Sequence, residues 1–187
     1  MSTTAHLDAG LSLRAPRDFV RSRVSWPPDA PDGSPMAVFV ADIDSGLEVA
    51  DALCLEAGYV VLALRTDELD VATIAVEWCG DHAGALGADP ERLLVAGGGL
   101  AAATALHARD EGWPPLTRQL LIGPDVGGWP AAGVSLAGVA PATVVDAPAY
   151  AARLRAAGVE VDEPPMSSDW IRCLTTNRDA DYEEVAR

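Results

Sequence analysis

The sequence predicts an α/β fold: a mostly parallel sheet with helices on both faces, after an antiparallel start. Three observations lead there. Short continuous apolar runs, bounded by turn residues, have the length and texture of strands buried on both faces. Segments with apolar residues at helical spacing separate these runs, and strands that alternate with helices build parallel sheets. Residues 1–35 instead begin with apolar–polar alternation, the pattern of antiparallel strands with one wet face.

The elements follow in order. Leu11-Ser12-Leu13 and residues 19–24 carry the alternation, and Pro27-Pro28 with residues 29–35 make a turn. Residues 37–40 form the first buried strand. Residues 45–58 read as a helix with Leu47, Ala50, Leu53, Cys54 and Ala57 on one side. Residues 59–64 are the second buried strand. The longest helical segment covers residues 67–86, with Val71, Ile74, Ala75, Trp78, Cys79 and His82 at helical spacing. Residues 87–90 punctuate, and residues 93–96 are a third strand. Gly97, Gly98 and Gly99 turn into a helix reaching about Asp110, ended by Gly112-Trp113-Pro114-Pro115. Leu116–Ile122 and residues 140–145 are the fourth and fifth strands. Residues 148–157 are a helix closed by Gly158, and residues 159–161 a short sixth strand. The tail is mixed, with a helical pattern over residues 182–187. With no repeat and no linker, residues 1–187 make one domain: antiparallel strands in 1–35, a parallel core in 36–163 and a divergent tail in 164–187.

Composition narrows the chemistry. The chain has 187 residues, 49 % apolar and 22 % charged, with 13 basic and 28 acidic side chains and a formal charge of −15. Every basic residue other than histidine is arginine, so lysine Schiff bases and a phosphate loop with its lysine are excluded. Abundant Ala, Gly, Asp and Arg, with Asn177 as the single asparagine, fit a GC-rich bacterial genome. The acidic balance repels phosphate backbones and acidic membrane surfaces, so neither nucleic acid nor membrane is an expected partner. The first residues lack a cationic start before an apolar stretch, and no run is long enough to span a bilayer; a cytoplasmic location is expected. Cys54, Cys79 and Cys173 have neither disulfide nor zinc spacing, and no cofactor or metal is expected.

A longer pattern runs through the middle of the chain. It reads A-V-E-W at 75–78, Asp81-His82, L-G-A-D-P-E-R at 86–92, L-A-A-A-T-A-L at 100–106, A-R-D-E-G at 108–112 and P-L-T-R-Q-L-L-I at 115–122, with Pro124. Weaker flanks are D-I-D-S at 42–45, A-L-C at 52–54, A-G-V-A-P-A at 137–142 and Y-A-A-R-L-R-A-A-G-V at 150–159. In this collinear order the chain resembles the hormone-sensitive-lipase-like branch of the α/β-hydrolases, the acetyl-esterase and lipase group. That family sets its serine on a strand-to-helix turn, G-D-S-A-G-G. Here the turn at 95–100 reads V-A-G-G-G-L, shorter by about four residues and without Ser, Cys or acid. The oxyanion loop H-G-G-G would follow Val40, where the chain has A-D-I-D. The family's acid loop, D-P-L-R-D-like, is replaced by D-A-P-A-Y at 146–150, and its G-M-x-H-G-F-like histidine motif by M-S-S-D-W at 166–170. The resemblance implies a shortened, catalytically degenerate member, because nucleophile, base and oxyanion donors are what make acyl transfer fast.

Candidate site residues come from the rim where strands end. Asp42 and Asp44 follow the first parallel strand, at the end that faces the ligand crevice in open α/β sheets. Capping of the next helix by Asp44-Ser45 is the competing assignment. Asp125 follows the fourth strand, as a rim acid or a turn residue before Gly127-Gly128. Asp146 follows the fifth, where Pro148 also makes it a cap candidate. Together these acids suit a cation or general acid–base work, or form a solvated edge. Gly97, Gly98, Gly99, Trp129 and Trp170 are the ligand-binding candidates. Residues 97–102 also fit G-x-G-x-x-A, with no acid at the spacing a dinucleotide requires, so nucleotide binding is a minor alternative. His82 is expected to be structural on the apolar stripe, His107 to complement its helix dipole, and His6 to lie in a terminal stretch; no two share ligand spacing. Cys54 and Cys79 are expected in the core.

The expected function is binding of a small organic molecule in the crevice, with assistance to a non-covalent cyclisation or isomerisation by the rim acids. The alternative is a non-catalytic binding or assembly partner of another protein chain, a homo-oligomer included. A minor alternative is a hydrolase with its nucleophile moved to Ser45, Ser167, Ser168 or Cys173.

Overall fold

The computed structural model describes residues 5–11, 20–41, 47–124 and 133–164. In chain order the elements are β1 (Ala5–Leu11), β2 (Val20–Trp26), β3 (Ser34–Ala41), α1 (Glu48–Leu55), β4 (Val60–Arg65), α2 (Leu69–His82), a 3-10 turn (Ala83–Leu86), β5 (Ala88–Gly97), α3 (Gly99–Glu111), β6 (Leu116–Ile122), β7 (Ala142–Val145), α4 (Pro148–Ala156) and β8 (Val161–Asp162). The strands form a sheet in the order β1-β2-β4-β3-β5-β6-β7-β8. β1 and β2 pair antiparallel, as do β2 and β4; every other pair is parallel. This is the expected mostly parallel sheet with an antiparallel start.

β3 is buried along its whole length, which explains its unbroken apolar run. Met36, Val38 and Val40 face one side and Ala37, Phe39 and Ala41 the other, as strand geometry requires. Crossover handedness then distributes the helices. The chain steps from β3 to β4 in one direction and from β4 back over β3 to β5, then β6, in the other. With right-handed connections α1 must lie on one face and α2 and α3 on the opposite one. The cores agree. α1 packs Ala50, Leu53 and Cys54 against Phe39 and Val61. The other face joins Val71, Ala75 and Cys79 of α2, Ala102 and Leu106 of α3, and Tyr150 and Leu154 of α4 to Val38, Val95, Leu121 and Val144.

The observed elements depart from expectation at several places. β5 begins at Ala88, not at residue 93. Its register on β3 jumps from Ser34–Ala88 to Met36–Leu93, so residues 89–92 form an irregularity in which Pro90 has no ladder bond to break. α1 starts at Glu48 with Leu47 as its N-cap and no side-chain cap bond. The 67–86 segment is an α-helix only to His82, and β8 lies at Val161–Asp162. His82 does not join the apolar stripe. It is exposed, its ring stacked on Trp78 (centroids 4.6 Å apart, planes 10°) and its Nδ1 2.9 Å from the Trp78 carbonyl. The pattern at 182–187 lies outside the described residues, as do Ser12, Leu13 and Phe19, whereas Leu11 ends β1. Among the described residues no helix is long and apolar enough to cross a membrane.

Candidate functional site

β3 and β5 are sheet neighbours whose following connections leave in opposite directions, to β4 and to β6. Such a reversal opens a crevice outside the carboxyl ends of the strands. At that point Val40 pairs with Gly97. Gly97 has φ +142°, and a Cβ there would sit 2.2 Å from the Val40 carbonyl oxygen, so the backbone itself demands glycine. Gly98 is the N-cap of α3 with φ −87° and ψ −144°, and Gly99 is the helix's first residue. The turn therefore presents backbone alone, with the open amides of a helix N-terminus and no side chain that could attack a carbonyl. The nearest hydroxyl within the helix, Thr104, is buried and donates to the Leu100 carbonyl at 2.9 Å.

β7 ends on the same rim. The Gly123 amide donates to the Val145 carbonyl at 2.9 Å, which sets the exit of β6 beside the exit of β7. Asp146 follows, exposed, with φ +57°, a left-handed conformation that Asp tolerates better than most residues. The capping assignment for Asp146 fails: Ala147 is the N-cap of α4, and no side chain caps that helix. Gly97, Gly98 and Gly99 thus lie at the same end of the sheet as Asp146, at the exits of β5 and β7 with β6 between them. Asp42, Asp44, Asp125, Trp129, Trp170 and the serines and cysteine at 45, 167, 168 and 173 lie outside the described residues. Among the described residues no group of three or more His, Cys, Asp or Glu is placed to hold a metal ion.

The buried thiols are poor nucleophiles. Burial, with the neighbouring Asp51 charge, raises the Cys54 thiol from 9.0 to about 11, and Arg23 offsets only part of this. Cys79 is pushed higher still by burial alone. His107 lies 3.7 Å from Glu77, bridging α3 to α2 on the surface rather than facing the crevice.

One concavity escaped the sequence. A cleft of about 240 Å³ opens at the other end of the sheet, between Ala105 and Ala108 of α3, Pro114, and Gly138. Arg109 lines it but is committed: Nη1 donates to the carbonyls of Ser135 and Ala137 (2.7 and 2.9 Å), and Nε and Nη2 to Asp110 (2.8 and 2.6 Å). The lining comes from separate segments of small, chemically silent residues. Only the Gly-Trp-Pro-Pro break at 112–115 marked the place in sequence.

Comparison with known proteins places these features in a wider set. A family described as alpha/beta hydrolase fold matches residues 67–137. Esterase LipI of Mycobacterium tuberculosis is 30 % identical over 179 residues, covering 83 % of this chain and 56 % of that protein. Carboxylesterase NlhH of the same organism is 34 % identical over 119 residues, covering 53 % of this chain and 37 % of that protein. The chain therefore spans about half the length, or less, of these curated relatives. Among solved structures, an arylesterase superposes with a TM-score of 0.74 at 17 % identity, over 95 % of this chain and 84 % of that one.

Proposed function

From a chain with the α/β-hydrolase fold, we propose a protein that has given up serine-dependent hydrolysis and binds a small organic molecule at the carboxyl ends of β3, β5, β6 and β7. The observation that carries this is the β5–α3 turn. The family resemblance puts a nucleophile there, and Gly97, Gly98 and Gly99 supply none, while the switch point that makes the crevice is intact. Asp42, Asp44, Asp125 and Asp146 would then be the groups that move protons in a non-covalent cyclisation or isomerisation. Neither metal nor cofactor enters this reading, and a cytoplasmic location goes with it.

A second reading has its own support: the relatives reported above are named esterases, at 30 and 34 % identity. It needs a nucleophile elsewhere, at Ser45, Ser167, Ser168 or Cys173. The two readings part on one experiment. The purified full chain is given p-nitrophenyl acetate and a fluorophosphonate probe, and in parallel a panel of small esters and carboxylic acids is titrated while the unfolding temperature is followed. The proposal expects no turnover, no phosphonate adduct, and a concentration-dependent stabilisation by a subset of the panel. Turnover abolished by the phosphonate, with an adduct mapped to one of those serines, would replace it with the esterase reading.

A further inference from the structure

We draw no further inference here: the strongest candidate, the open cleft of about 240 Å³ between the C-terminal end of α3 and the segments around Pro114 and Gly138, is lined by small apolar residues and by an Arg109 already paired with Asp110, and nothing in the structure shows what covers it.

Discussion

A methyl group on Gly97 would meet the Val40 carbonyl oxygen, whereas one on Gly98 would find its nearest neighbour, the Ile122 carbonyl oxygen, at an ordinary 3.6 Å. Two adjacent glycines therefore carry opposite expectations. Gly97→Ala combines a backbone clash with an unfavourable φ and is expected to destabilise by about 3 kcal/mol, read as a lower urea midpoint. Gly98→Ser is expected to stay within about 1 kcal/mol of the parent and to hydrolyse no p-nitrophenyl acetate, because no histidine stands in the turn to activate it. The thiols give a second test at this scale. Native Cys54 holds its proton where an unfolded cysteine has begun to lose it, so its contribution to stability is complete below pH 9.0. That contribution falls as pH climbs from 9.0 towards about 11. Urea midpoints of the parent should drop over this window more steeply than those of Cys54→Ala; equal slopes would remove the thiol from the account. In peptide mapping after iodoacetamide treatment, Cys54 and Cys79 should stay unlabelled until urea unfolds the chain.

At the level of elements, the short edge strand β8 shows how a two-residue strand is held. Gly158 ends α4 in a Schellman turn, its amide donating to Arg155 (2.9 Å) while Val159 donates to Leu154 (3.0 Å). From β6, Arg118 reaches across the next two strands, to Thr143 of β7 at 3.4 Å and Asp162 of β8 at 2.8 Å. Arg118→Ala should cost about 1 kcal/mol, since Asp162 is half exposed, and should chiefly raise amide exchange at residues 161–162. Unchanged exchange there would mean that backbone pairing alone holds the edge. Element order was legible in the sequence because β3, β4 and β7 are buried nearly throughout and read as apolar runs; β6, though polar over its first half, was found to the residue. Boundaries were less so where tertiary context overrides local punctuation. Asp89-Pro90 looks like a break, yet lies in a strand irregularity. His82 keeps the helical spacing yet ends up outside, stacked on Trp78.

For the whole molecule, the formal charge of −15 on 187 residues makes the folded state self-repelling. Added sodium chloride should raise the unfolding temperature by a few degrees before any ligand effect, because screening relieves repulsion among surface carboxylates. A flat or falling response would point to favourable charge networks instead. The candidate site was legible only as a place. Strand order fixes the crevice over Gly97 through connection handedness, but its chemistry depends on loops whose residues do not follow a periodic pattern. Acids such as Asp146 announce a strand end equally well whether they serve a ligand or water. Asp146 also shows that an acid two residues before a helix-starting proline need not cap that helix.

The contact between Gly97 and Val40 also limits where this sequence can travel. Any amino-acid exchange at Gly97 adds at least a Cβ against a main-chain oxygen that has no rotamer through which to retreat. A library of point substitutions screened for folding would accordingly be depleted at that codon and populated at Gly98. Placing a side chain at the Gly97 position itself calls for added residues that lift the backbone away from β3, a route open to insertions and closed to exchanges.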